Sequence, residues 1–247
     1  MFVLFSAGAQ EILKLTGQKN VLQVQNLTVN PDNSVTYTVD GKKKVAPANT
    51  FDYARIPMPK EIAEADRLLK KNEFSKAEKM YQSAFEKYRL LGWGSYCISH
   101  RAKALAEAGK EKEALAFLNQ LRDYSSMDPE VNKHLLEARK FLVDLLIKSG
   151  DLKSAESLLA PMISGKHDSG VCFAFLRKGD IATLQKANRK AVRYYTQAAF
   201  LFPEDPCRPE ALYKTVILLK ELKDPRWENF ADILKKQYPS SGFVKKL

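Results

Sequence analysis

The sequence predicts a mainly α-helical chain: a solenoid of about five helical hairpins, forming an α-α superhelix behind a small N-terminal all-β module. Three observations predict it. The stretch Gly150-Asp151-Leu152, followed by Ala155, Leu159 and Met162, reads G-D-L-x-x-A-x-x-x-L-x-x-M. In it a glycine and an acid close one helix and open the next. A small residue and two apolar ones then follow at helical spacing. The same turn-and-second-helix pattern recurs down the chain. Residues 10–56 instead alternate apolar and polar side chains, and Pro57 and Pro59 stand between the two regions.

Composition bounds the function classes. The chain has 247 residues, 45% of them hydrophobic, enough for a packed interior. The net charge is +11. Residues 1–56 hold six Lys/Arg against four Asp/Glu, and residues 57–247 hold 34 against 25. The excess is dispersed, which describes a solvated basic surface open to acidic partners and names none. No run approaches the roughly 18 apolar residues of a membrane-spanning helix. Residues 1–9 form a separate segment. Phe2–Phe5 is apolar, and Ala7-Gly8-Ala9 precedes Gln10 as an A-x-A. That resembles the tail of a secretory signal peptide and implies a periplasmic or secreted protein; without export the location would be cytoplasmic.

Residues 10–56 read as the β-module. Ile12, Leu13 and Leu15 open an apolar stretch. Val21–Val29 is rich in strand formers, and Asn30-Pro31-Asp32-Asn33 is a turn cluster. Val35, Tyr37 and Val39 alternate with Ser34, Thr36 and Thr38, the period of a half-buried strand. Asp40-Gly41 marks a hairpin. A two-residue loop would pair Tyr37 with Lys44 and turn Val45 outward, so a three-residue loop with a bulge, pairing Tyr37 with Val45, is the expected register. Asp52–Ile56 offers a last strand. Strands this short and this many resemble a small SH3-like or Sm-like barrel. The run with Val45, Pro47 and Tyr53-Ala54-Arg55-Ile56 resembles modules found beside repeat domains in bacterial envelope proteins. Asn26-Leu27-Thr28 fits a glycosylation acceptor by chance composition.

Residues 57–247 form the helical repeat domain. A small residue recurs in each second helix: Ala77, Ala114, Ala155 and Ala191, with Trp227 irregularly at the fifth place, separated by 37, 41, 36 and 36 residues. Four and seven positions on come Tyr81 and Ala84, Leu118 and Leu121, Leu159 and Met162, Tyr195 and Ala198, Ala231 and Leu234. The small residue lets two helices approach closely, and the later pair fills the groove against the next hairpin. Pro203 and Pro239 each stand twelve residues after their anchor.

These positions resemble the tetratricopeptide repeat, a helix-turn-helix unit of about 34 residues. Ala65, Leu68 and Phe74 match its signature in the first unit, Ala102, Leu105 and Gly109 in the second, Leu142, Leu146 and Gly150 in the third. Phe175 and Gly179 match in the fourth and Leu218 in the fifth. Trp227 and Asp224-Pro225 depart from the pattern, as expected of a capping unit. Tyr238-Pro239-Ser240-Ser241 resembles the close of periplasmic repeat proteins associated with the outer membrane.

The resemblance implies a concave face lined by first helices, where an extended peptide is held. It points Asp66, Lys70, Tyr96, Ser99, Lys103, Lys140, Asp144, Lys148, Phe173, Asp180 and Lys220 inward, with Leu176, Leu212 and Val216 beside them. Lys103, Lys140 and Lys148 would make its middle basic. The family's clamp for chaperone C-termini needs Asn at positions that here hold Lys103 and Asp144, so that partner is not implied.

Reactive constellations are not expected. His100, His134 and His167 are dispersed. Cys97 and His100 share a helix face without a second ligand pair, so no metal, cofactor or catalytic residue is assigned. No G-x-S-x-G, phosphate-cradling loop or HExxH occurs. Cys172 and Cys207 start adjacent first helices about one helix diameter apart, farther than a disulfide prefers; they are expected as buried small hydrophobes, with a bond as the alternative if the chain is exported. Leu90-Leu91-Gly92-Trp93-Gly94 is expected to pack back on the array. Phe173, Phe175, Tyr194, Tyr195, Phe200 and Phe202 are expected in the core. The chain thus reads as a non-enzymatic scaffold for a protein or peptide in a bacterial envelope. Nucleic-acid binding through the basic surface and Sm-like module is a disfavoured alternative. A structural, self-assembling repeat protein, with homo-oligomers, is the other.

Overall fold

The computed structural model describes residues 10–164 and 168–247. The signal-like segment 1–9 and His167 lie outside the described residues. Five strands come first: β1 (Glu11–Leu15), β2 (Leu22–Val29), β3 (Val35–Val39), β4 (Lys42–Ala46) and β5 (Phe51–Arg55). They form one antiparallel sheet in the order β4-β3-β2-β1-β5, so the last strand returns to pair with the first. Leu13, Val24, Leu27, Val35, Tyr37 and Ala54 fill its core. Asn26, at φ +53°, makes a bulge in β2 that brings Leu27 inward, and the Leu27 N–H donates to Glu11 Oε2 at 2.8 Å.

The β3–β4 hairpin corrects the expected register. Val39 pairs with Lys42 and Tyr37 with Lys44, so the loop is the two residues Asp40 and Gly41, both left-handed at φ +51° and +71°. Val45 faces outward at 56% exposure while Ala46 is buried. Two left-handed residues give a turn whose twist matches that of the strands, and this outweighs burial of one valine. The exposed lysines of β4 also guard a sheet edge.

Among the described residues five helical hairpins follow. They are α1 (Lys60–Lys70) with α2 (Phe74–Tyr88), α3 (Gly94–Glu107) with α4 (Glu111–Asn119), and α5 (Pro129–Ser149) with α6 (Leu152–Ile163). The last two are α7 (Asp168–Leu184) with α8 (Asn188–Leu201), and α9 (Arg208–Glu221) with α10 (Trp227–Gln237). Ala77, Ala114, Ala155 and Ala191 are wholly buried, and the residues four and seven positions later are buried too. Each hairpin turns on one left-handed residue: Asn72, Gly109, Gly150, Lys186 and Lys223. In every turn its N–H and the next N–H return to carbonyls of the preceding helix, as in Lys186 to Thr183 at 2.9 Å and Ala187 to Ala182 at 2.8 Å. The fifth turn is longer, because Asp224-Pro225 delays α10. Trp227 therefore opens that helix, half-buried beneath the Lys220 ammonium, rather than standing at the anchor position.

The chain divides within α5 into two compact units, one ending at Arg139 and one beginning at Lys140. In the first, the wide turn Arg89–Trp93 sends Leu91 into the sheet core and Trp93 into the helical core. The Trp93 indole N–H also donates to the Ile56 carbonyl at 3.0 Å. Arg55 of β5 pairs at 3.0 Å with buried Asp128, whose carboxylate also receives the Glu130 N–H at the start of α5.

The second unit packs around Leu176, Ala191, Tyr195, Ala198, Leu212 and Leu234. Cys172 and Cys207 are joined in a disulfide with a Cα separation of 6.6 Å, against the expectation of two unbonded cysteines. Cys207 caps α9 from the preceding turn instead of riding on the helix cylinder, and so reaches α7. Phe200 also departs from expectation. It is 47% exposed, with its edge to Phe230.

Candidate functional site

Sequence places the predicted binding residues on first helices, and most of them, though not Ser99, Lys148 or Lys220, gather in one cluster per unit. In the first unit α1 contributes Asp66 and Lys70, and α3 contributes Tyr96, Ser99 and Lys103. Asp66 is the centre: Tyr81 and Tyr96 donate their phenolic hydrogens to its two oxygens at 2.6 and 2.8 Å. Burial, reinforced by these bonds, pushes both phenols' pKa upward, so they stay donors at any physiological pH. The Tyr96 ring stacks on His100 at 3.8 Å and meets the edge of His134 at 5.0 Å. Burial holds both imidazoles below the usual histidine range.

This arrangement frames a pocket of about 390 Å³, bordered by Asp66, Lys70, Tyr96, His100, Lys103 and Glu107. Lys70 and Lys103 are exposed, and among the described residues neither holds an ion pair. Ser99 is half-buried on α3 and does not border the pocket. Aromatic rings bordered by two ammonium groups without an ion pair suit an apolar or aromatic side chain beside a carboxylate. Cys97, beneath it, is a buried thiol with its pKa pushed up to about 12 by desolvation, and is chemically quiet at neutral pH.

The second unit brings Lys140, Asp144, Phe173 and Asp180 together, with a residue the sequence reading missed at their centre. Arg177 donates to Asp144 at 2.5 Å, to Asp180 at 3.2 Å and to Glu210 at 2.9 Å. Lys214 bridges Asp180 at 2.5 Å and Glu210 at 3.1 Å. The Phe173 ring lies under Arg177 at 4.9 Å and near Lys140 at 5.8 Å. Desolvation raises the Asp144 pKa despite Arg177 beside it. Leu176, Leu212 and Val216 are buried core residues and offer nothing to a ligand. Lys148 is exposed, and Lys220 is engaged by Trp227 and by the Leu247 carbonyl at 3.3 Å. Asp144, Arg177 and Glu210 follow one another at intervals of 33 residues. Opposite charges recurring at one repeat length were the legible signal for this network.

Cys172, Asp205 and Cys207 stand close enough to hold a metal, but the two sulfurs are joined to each other. Among the described residues no helix is long and apolar enough to cross a membrane.

No family model matches the sequence, and no curated protein does. Solved structures are similar in fold. RapI in its apo form is matched over 75% of this chain with a TM-score of 0.61 at 11% identity, and this chain spans 55% of RapI. BtubC (BKLC) from P. vanneervenii is matched over 70% of this chain and 76% of its own, with a TM-score of 0.56 at 15% identity. A putative kinesin light chain of Podosopora anserina, with nearly identical TPR-like repeats, is matched over 74% of this chain and 95% of its own, with a TM-score of 0.54 at 13% identity. At these identities the likeness is one of fold, and that fold is the helical repeat of the tetratricopeptide type.

Proposed function

We propose that this chain is a non-enzymatic adaptor of a bacterial envelope that holds a protein or peptide segment against the first helices of its hairpins. The observation that carries the reading is the pocket over Tyr96 and His100, rimmed by Lys70 and Lys103. It suits a segment carrying an acidic group next to an apolar or aromatic one. The ion network around Arg177 is self-satisfied, so its charges cost desolvation to displace, and it serves better as a rigid wall than as a recognition point. The Cys172–Cys207 disulfide supports an oxidising compartment, in line with the signal-like residues 1–9.

The direct test is binding of a panel of acidic, aromatic-containing peptides by fluorescence anisotropy. The double variant Lys70→Glu, Lys103→Glu should weaken the best binder at least about tenfold, the scale of two charge-assisted contacts. Its thermal midpoint should stay near that of the parent. Unchanged affinity would remove the groove assignment. For the compartment, alkylation of thiols in intact host cells should leave Cys172 and Cys207 unlabelled until a reductant is added. Labelling without reductant would count against export.

A further inference from the structure

A second recess, of about 380 Å³, lies in the first unit beside the sheet. Four consecutive residues of β5, Phe51 to Ala54, line it. Successive side chains of a strand point to opposite faces, so a recess bordered by four in a row faces the strand's edge. β5 is an end strand of the sheet, paired on one side with β1. On its other side the one backbone bond among the described residues is Ile56 N–H to Leu91 O at 3.4 Å, beyond the strand's end. The opposite wall is mostly apolar, built by Phe85, Ile98, Leu121 and Val131, with Gln120 and Ser126 beside them. Into this wall is set Ser95, 5% exposed, whose hydroxyl has no hydrogen-bond partner among the described residues. Tyr124, half exposed, stands at the rim.

We propose that this recess receives an extended segment of a partner protein, which adds to β5 as a further strand. A row of unpaired backbone groups is matched by another backbone in the extended conformation, and a compact small molecule would leave most of the row unpaired. Alternate side chains of the added strand point to one face, where Phe85, Ile98 and Leu121 offer an apolar seat. The Ser95 hydroxyl, buried in the free chain, would turn toward a polar group of the incoming chain, which removes the cost of leaving it unpartnered. The chain's charge of +11, with Arg89 exposed at the rim, favours a segment with acidic flanks. This seat is separate from the pocket over Tyr96, so either stands or falls without the other.

The test uses the full chain and a set of acetylated pentapeptides, Asp-Val-X-Val-Asp, with X set to Val, Ile, Leu, Phe or Tyr. Amide hydrogen exchange should slow at least about tenfold within residues 51–54 when the best peptide binds, as for newly bonded edge amides. Ser95→Ala, which removes only a hydroxyl, should weaken that peptide by about twofold to tenfold. A backbone N-methylated copy of the peptide should not bind. The proposal is overturned by protection confined to the residues around Tyr96, by equal binding of the N-methylated peptide, or by no saturable binding up to about 1 mM. Concentration-dependent dimerisation that protects residues 51–54 without peptide would assign the edge to a second copy and overturn it as well.

Discussion

Gly179 and Tyr195 touch so closely that a Cβ on the glycine would stand 2.2 Å from Tyr195 Cε1. One edge of the ring covers the glycine where α8 packs on α7. Its hydroxyl donates to Asp180 at 2.8 Å and meets Thr183 at 3.1 Å, so it has no room to swing away. Gly179→Ala gains about 1 kcal/mol of helix propensity, but the clash outweighs it at about 3 kcal/mol, for a net loss of about 2 kcal/mol. Urea unfolding should show the loss, and adding Tyr195→Leu should recover part of it. An unchanged midpoint would mean the helices cross elsewhere.

The hairpin turns offer the opposite kind of change. Lys186 and Lys223 hold left-handed conformations, at φ +57° and +55°, in the place that Gly109 and Gly150 fill in other hairpins. Lys186→Gly and Lys223→Gly should each stabilise the chain by about 0.5–1 kcal/mol, since relief of backbone crowding exceeds the added freedom of the unfolded chain. Gly150→Ala should destabilise by a similar amount. Thermal midpoints of the three variants decide it.

How far the molecule was legible follows from where its information is local. The alanine anchors and their partners at four and seven positions are a one-dimensional pattern, and all of them are buried where expected. The β3–β4 register was misjudged because burial of Val45 was weighted above turn geometry, which Asp40 and Gly41 decide alone. The disulfide was missed because helix-to-helix distance was applied to Cys207, which sits on a turn. Of the candidate site, Asp66, Lys70, Tyr96 and Lys103 converge on one pocket, and Asp144 and Asp180 on one arginine. Arg177 lies one position from Leu176, which the repeat register turns inward, and a one-residue phase error on a helix turns a side chain by about 100°. The His100 stack on Tyr96 depends on a spacing of four within α3, whereas the sequence reading considers His100 only with Cys97, three positions before it, as a metal ligand.

Arg177 satisfies three carboxylates with only 16% of its side chain exposed. Arg177→Met would leave Asp144, Asp180 and Glu210 facing one another, with Lys214 still bridging Asp180 and Glu210. The cost should be about 2–3 kcal/mol, less than for a fully buried pair because Asp144 is 40% exposed. High salt should recover some of it in the variant and little in the parent. Chemical denaturation at low and high ionic strength makes the comparison.

The disulfide closes a loop between positions 35 residues apart. On the chain-entropy account, reduction should lower stability by about 3–4 kcal/mol, and the loss should fall on the second unit. Amide exchange under reducing conditions should therefore speed up in α7 to α10 more than in the sheet. Cys172→Ala, Cys207→Ala should reproduce the effect and abolish its dependence on reductant.

His100 and His134 flank the Tyr96 ring, and burial lowers the pKa of both below the ordinary value near 6.5. A histidine whose folded pKa is depressed favours the folded state while neutral. The stability it supports is complete above the unfolded pKa and is lost as pH falls below it. The thermal midpoint should therefore drop between pH 7 and pH 5, and His100→Phe, which keeps a ring against Tyr96, should flatten that slope. If the slope persists in His100→Phe combined with His134→Phe, the pH dependence lies in other groups. If the parent shows none, the imidazoles are better solvated than their packing against Tyr96 and Trp93 implies.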